Sequence, residues 1–254
     1  MRKAVEDDVA RRREIEDEFW RTSEDERPES SSVRNLVNKA EEAAIFLEIL
    51  DLHRADFERA ARVLELGAGQ GWASCLVKSL FPSTVVIATD MSEYAVRSVG
   101  KWERIFDVRI DSVRAAPSDD LPEPDASVDV VFCFAAAHHF GTHRRTLAEI
   151  HRVLRAGGVA HYFYEPACPA YLHRAASWRV THKRPEVPED VLVYSRLIEL
   201  GREVGLSAEV SFYPTFRRRG SVETLYYATL TALPPLRRAL PCTANFSFRK
   251  GERA

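Results

Sequence analysis

Glu65-Leu66-Gly67-Ala68-Gly69-Gln70-Gly71 lies between a short apolar run, Val63-Leu64-Glu65-Leu66, and a helical stretch from Trp72 to about Leu80. An apolar run that stops at glycines and resumes as a helix marks a strand–helix join in an open α/β sheet. Ligands of such sheets bind outside the carboxyl ends of the strands. Glycines let the backbone turn tightly there and approach a ligand, and exposed amides at the helix start add hydrogen-bond donors. Downstream, Thr84–Thr89 is a β-branched strand that ends at Asp90. That places a carboxylate roughly 20 residues beyond the loop, where it can accept hydrogen bonds from a ribose. The dinucleotide fingerprint is G-x-G-x-x-G, whose third glycine allows close helix–strand packing. Here the third glycine comes one residue early and Trp72 fills the reserved position. An indole there is expected to crowd a pyrophosphate.

Beyond the loop the same alternation continues. Ser92 can cap a helix to about Arg104, Ser112–Ala115 reads as a weak strand, and Val128–Phe134 as a continuous buried one. A helix over Thr146–Leu154 ends at Ala156-Gly157-Gly158, and Val159–Tyr164 is the next strand. Repeated strand–helix units predict a parallel sheet with helices on both faces, a Rossmann-like α/β fold. Upstream, an apolar face of Ile15, Phe19 and Trp20 predicts a short helix, and Val33 to Leu50 predicts an amphipathic one. Downstream, a helix is expected from Pro188-Glu189-Asp190 to about Val204, strands over Ala208–Phe212 and Asn245–Arg249, and a helix over Ser221–Leu233.

Taken together these motifs resemble the class I S-adenosylmethionine-dependent methyltransferases, and among them the type-11, ubiquinone-biosynthesis-like group. Glu65–Gly71 is similar to their first motif and Asp90 to their second. Asp119-Asp120-Leu121-Pro122 with Asp125–Val131 is similar to the third and the fourth strand. Ala136-Ala137-His138-His139-Phe140 stands at the family's apolar-His-His stretch. Leu154-Arg155-Ala156-Gly157-Gly158 resembles its Leu-Arg-Pro-Gly-Gly turn, with Ala156 for the proline. The resemblance covers about Arg62 to Pro166. It implies a mostly parallel seven-stranded sheet with an N-terminal helical extension and C-terminal insertions. It also implies S-adenosylmethionine as cofactor, held by Glu65, Gly67, Ala68, Gly69, Gly71, Asp90, Met91 and Phe134. The Gly-Asp that usually precedes the third motif is Ala116-Pro117 here, so Ser118 or Asp119 must serve the adenine end.

Candidates at the reacting end are His138 and His139. A histidine near neutral pKa suits removal of a hydroxyl proton. Tyr162, Tyr164 and Glu165 end the fifth strand as candidate substrate contacts, and period-2 alternation puts Tyr162 and Tyr164 on one face. His138-His139-x3-His143 lacks an obvious partner carboxylate, so no metal site is expected. From residue 170 onward 14 lysines and arginines face 8 acidic residues. Arg217-Arg218-Arg219 beside Tyr213 and Phe216 fits an anionic group on the acceptor or a solvated face, the latter favoured.

The chain divides into a helical cap, 1–60, whose Phe19 and Trp20 are candidates to cover the site, and a cofactor-binding domain, 61–254, in which 166–190 and 214–242 are candidate lid or substrate segments. With 254 residues and a net charge of -2, it is long enough for a large core and is not a general nucleic-acid binder. There is no signal-peptide core and no run of roughly 20 apolar residues. Four scattered cysteines without a CxxC pair fit a reduced, cytoplasmic protein with no membrane span. Nothing in the sequence sets an oligomeric state. The expected function is methyl transfer to a small-molecule acceptor, most simply an oxygen nucleophile. The rivals are cofactor binding without transfer, methylation of RNA or another macromolecule, and, last, a nicotinamide-dependent oxidoreductase.

Overall fold

The computed structural model describes residues 11, 14–30, 32–183, 190–217 and 219–252. Helix α1 (14–22) leads into α2 (Val33–Leu52) and α3 (Arg54–Glu58). Then come β1 (Arg62–Leu66), α4 (Trp72–Leu80), β2 (Val85–Asp90), α5 (Glu93–Val96), α6 (Val99–Phe106), β3 (Ser112–Ala115) and β4 (Val128–Phe134). The second half holds α7 (His143–Val153), β5 (Leu154–Cys168), α8 (His173–Lys183), β6 (Leu192–Val193), α9 (Tyr194–Glu203), β7 (Leu206–Phe212), α10 (Ser221–Ala232), α11 (Leu236–Ala239) and β8 (Cys242–Lys250).

The strands form one sheet in the order β3-β2-β1-β4-β5-β8-β7, and two-residue β6 pairs beside the end of β5. Pairing is parallel from β3 to β5, and β8 runs antiparallel to both its neighbours. The seven-stranded, mostly parallel sheet expected from the sequence is therefore present, with one short extra strand. Strand order reverses between β1 and β4, which opens a crevice beyond their carboxyl ends.

Two cores cover the sheet. On one face α2, α4 and α6 pack Phe46, Ile49, Trp72 and Trp102 against Val63, Phe132 and Phe163. On the other, α7 and α9 pack Leu147, Ile150 and Leu197 against Leu64, Val131 and Phe246. Adjacent β1 residues thus serve opposite cores, which is why the strand reads as uninterrupted apolar sequence. Phe46 is fully buried with its ring 5.5–6.2 Å from those of Trp72, Phe132, Phe134 and Phe163. Losing such a side chain costs about 3–5 kcal/mol. The second half of α2 is therefore bolted into the sheet's own core.

Two expectations fail. The helix expected to start at Pro188 starts at Tyr194, because Leu192-Val193 is taken up as a strand edge against Ala167 and Cys168; 184–189 lie outside the described residues. Tyr162 and Tyr164 also do not share a face. A bulge in the β5–β8 ladder falls between Tyr162 and Glu165, and Tyr164 takes a left-handed φ of 59°. Tyr162 packs with the α7–α9 core and Tyr164 against the α2–α4 core. Asn245 holds the bulge by accepting from the Tyr164 amide at 2.8 Å. All four cysteines are buried and free. Among the described residues no helix is long and apolar enough to cross a membrane.

Candidate active site

The glycine loop leaves β1 with three residues in the left-handed region: Gly67 (φ 63°), Gly69 (φ 52°) and Gly71 (φ 76°). A side chain is strained at each of them. Room is short as well. A Cβ on Gly67 would lie 2.8 Å from the Ala136 methyl, and one on Gly71 2.6 Å from Val99. The loop is therefore pressed against the turn after β4 on one side and against α6 on the other. The Asp90 carboxylate fixes its height, accepting from the Gly69 amide at 2.8 Å and the Ser92 amide at 2.9 Å. Burial pushes the Asp90 pKa up, and those two amide bonds oppose the shift. Glu65 is buried beneath the loop, where the Ser74 hydroxyl of α4 donates to it. Burial raises its pKa to about 8, against the Ser74 hydrogen bonds.

Above the crevice lies a cavity of about 700 Å³, within the size range of small-molecule and cofactor sites. Its floor is Gly67, Ala68, Gly69, Gln70 and Trp72, with Asp90, Met91, Ser118 and Asp119 toward β2 and β3 and Phe134, His138 and His139 after β4. Tyr164, Arg219 and Glu223 close one side. The structure thus gathers Gly67, Ala68, Gly69, Asp90, Met91, Ser118, Asp119, Phe134, His138, His139 and Tyr164. Glu65, Gly71, Tyr162 and Glu165 stand off the walls. Gly71 starts α4. Tyr162 is fully buried with its ring 5.2 Å from that of Phe248, in the far core. Thr142 anchors Asp119 at 2.9 Å, and the Ser118 hydroxyl is 3.0 Å from that of Thr146.

The roof is built from the N-terminal helices, and Phe19 and Trp20, the two residues expected to cover the site, are both in it. Glu16, Phe19, Trp20, Glu26, Arg34, Asn38, Lys39 and Glu42 face down onto the floor. The Trp20 ring lies 3.3 Å from where a Gly69 Cβ would stand. Gln70 ties floor to roof, donating to Glu26 at 2.9 Å and accepting from the Trp102 indole at 3.0 Å. Helical spacing exposed Phe19 and Trp20 as a face, but nothing in the sequence pairs Gln70 with Glu26. The walls carry seven acidic side chains, Glu16, Asp25, Glu26, Glu42, Asp90, Asp119 and Glu223, against Arg34, Lys39 and Arg219. Lys39 is itself placed between Glu26 at 3.4 Å and Glu42 at 3.1 Å. The two described arginines of the triplet part company: Arg217 pairs with Glu48 at 2.7 Å, while Arg219 lines the cavity, over the Tyr227 ring at 4.1 Å; Arg218 lies outside the described residues.

Glu165 has a different place from the one expected. The bulge turns its carboxylate beneath the post-β4 turn, where it is fully buried. It accepts from the amides of Ala136 (2.9 Å), Ala137 (2.8 Å) and His138 (3.2 Å), and lies 2.8 Å from His138 Nδ1. One carboxylate thus fixes both the turn and the imidazole that faces the cavity. His139 Nδ1 lies 3.3 Å from Glu16 on the roof. His143 is not a cavity wall; it borders an open hollow of about 740 Å³ between α7 and α9 that holds none of the motif residues.

A switch-point crevice floored by a glycine loop, with a strand-end aspartate beside it, defines a Rossmann-like protein that binds a nucleoside-bearing cofactor. Residues 64–162 match the methyltransferase domain family. Over these residues the chain is thus similar to a methyltransferase domain, and S-adenosylmethionine-dependent methyltransferases are among its relatives. Over 106 residues it is 31% identical to malonyl-[acyl-carrier protein] O-methyltransferase of Laribacter hongkongensis, which covers 39% of this chain and 35% of that protein. Over 101 residues it is 38% identical to a Mycobacterium tuberculosis protein named as a probable S-adenosylmethionine-dependent methyltransferase, covering 39% and 34%. The match thus spans about a third of the length of these curated relatives. The crystal structure of the YcgJ protein of Bacillus subtilis superposes with a TM-score of 0.57 at 21% identity, over 80% of this chain and 98% of that one. That likeness carries the fold alone.

Proposed function

We propose that the protein transfers the methyl group of S-adenosylmethionine to a hydroxyl of a small-molecule acceptor, with His138 taking the proton. The observation that carries this reading is the buried Glu165 carboxylate 2.8 Å from His138 Nδ1, at the wall of a cavity floored by the glycine loop. With the Nδ1 proton held by Glu165, the basic lone pair of the neutral ring is on Nε2. His138 is then the catalytic residue and Glu165 a positioning residue.

The cavity fits the cofactor. Its volume suffices, its walls are acidic as a cationic ligand requires, and Trp72 and Phe134 line it as apolar surface. In this reading Asp90 takes the ribose hydroxyls, Met91, Ser118 and Asp119 the adenine, and the Gly67–Gly69 backbone the methionine end. Bound there, the sulfonium supplies an electrophilic methyl group, so transfer needs alignment and dryness more than it needs acid–base power. Trp20 and Phe19 exclude water from above. Tyr164, Arg219 and Glu223 remain to hold the acceptor, whose hydroxyl proton passes to His138. The acidic walls weigh against a polyanionic acceptor such as RNA. The O-methyltransferase named among the relatives agrees in reaction type.

The test is S-adenosylhomocysteine formation across a panel of hydroxyl, amine and carbon-acid acceptors. The expected outcome is turnover with a hydroxyl acceptor, and a kcat for His138→Ala lower by roughly 10²–10⁴-fold with cofactor affinity unchanged. Turnover of amines only overturns the oxygen acceptor. Tight cofactor binding with no product on any acceptor favours a binding protein.

A further inference from the structure

A second constellation lies away from the cavity. His53 joins α2 to α3, Asp56 is in the first turn of α3, and His161 is in the middle of β5. His161 is 1% exposed, with Nε2 3.2 Å from Asp56 Oδ2 and its ring 4.5 Å from that of His53. One donor atom from each of the three lies within 4.8 Å of the other two. We propose that His53, Asp56 and His161 bind a divalent transition-metal ion of the zinc class, which pins the end of α2 to the sheet.

Two imidazoles and one carboxylate are a donor set suited to such an ion, with a fourth position left for water on the side of the two partly exposed residues. The outer partner is in place as well. The Ser247 hydroxyl is 2.9 Å from His161 Nδ1, and accepting that proton would leave the Nε2 lone pair aimed at the cluster. In that tautomer Nε2 and the Asp56 carboxylate face each other as two acceptors, an arrangement that a bound metal cation relieves. Phe57 and Phe163 wall the His161 ring, with Phe163 stacked at 5.1 Å. Arg249 and Arg59 are the competitors, their guanidinium groups 3.3 Å from Asp56 Oδ2 and 3.7 Å from Oδ1, but both side chains are at least half exposed and can swing out.

The competing account is a purely structural pair, Nε2–H donating to Asp56 beside Arg249. The two accounts separate on tag-free full chain, stripped with EDTA and titrated with Co²⁺, reading the visible ligand-field spectrum and bound metal per chain. We expect one equivalent of Co²⁺ with imidazole ligation, displaced by Zn²⁺, and a Tm raised by either ion. His53→Gln, at a partly exposed site, should weaken binding by more than about 100-fold, since even outer partners are worth 10–100-fold. Arg249→Ala should tighten it roughly tenfold by removing a like charge. Less than one equivalent bound, binding untouched by His53→Gln, or weaker binding in Arg249→Ala would overturn the site. Unchanged cofactor affinity and helix content in both variants show that each has folded.

Discussion

The floor of the cavity is held by backbone: three left-handed glycines, an amide on Asp90, and a Cβ clearance of 2.8 Å between Gly67 and Ala136. The roof is held by side chains: Trp20 over Gly69, Gln70 to Glu26, Lys39 between Glu26 and Glu42. Backbone geometry tolerates almost no substitution, whereas a side-chain roof can be rebuilt with other residues and still close. On the proposed reading, cofactor recognition belongs to the floor. On the same reading, fit to a particular acceptor belongs to the roof and to the Tyr164–Arg219 side, both outside residues 64–162 that match the methyltransferase domain model.

That contrast can be broken from either side. The largest binding effect is expected on the floor. Gly67→Ala places a methyl in a left-handed conformation and against Ala136, so S-adenosylmethionine affinity should fall by roughly 100-fold, read by calorimetric titration. Normal affinity would mean that the loop backbone does not set binding. Beneath the floor, Glu165→Gln keeps an acceptor for the turn but loses the carboxylate at His138 Nδ1. The expected result is a kcat lower by on the order of 100-fold with cofactor affinity retained. If affinity falls and kcat does not, Glu165 only shapes the turn.

On the roof, Trp20→Ala should raise the S-adenosylmethionine Kd by about tenfold with little change in Tm, since the indole covers the ligand rather than the core. A Tm loss as large as that of a buried aromatic would make α1 part of the core instead. The smallest effect concerns Glu65. Its folded pKa of about 8 exceeds the ordinary 4.5, so the folded state keeps a proton that the unfolded chain gives up. The stability this contributes is complete below 4.5 and is lost as pH rises through about 8. Glu65→Gln should flatten the decline in Tm across that window; an unchanged decline would place its origin elsewhere.

What could be read from the sequence follows the same division. Gly67, Gly69 and Asp90 were legible because a fixed conformation at a fixed spacing leaves a residue-type signature. Strands β1 and β4 were legible because burial on both faces leaves uninterrupted apolar runs. The place of Glu165 was not. Alternation along β5 would set it with Phe163, and the bulge that turns it under His138 depends on Asn245, 81 residues away. The separate fates of Arg217 and Arg219 likewise depend on Glu48 and Tyr227, distant partners that a run of three arginines does not announce.

Calorimetric titration of the chain with S-adenosylmethionine, S-adenosylhomocysteine and NADH decides whether this crevice takes S-adenosylmethionine rather than a dinucleotide. One equivalent of each adenosyl compound and no heat from NADH is expected. Tight NADH binding with no binding of either adenosyl compound would overturn the assignment.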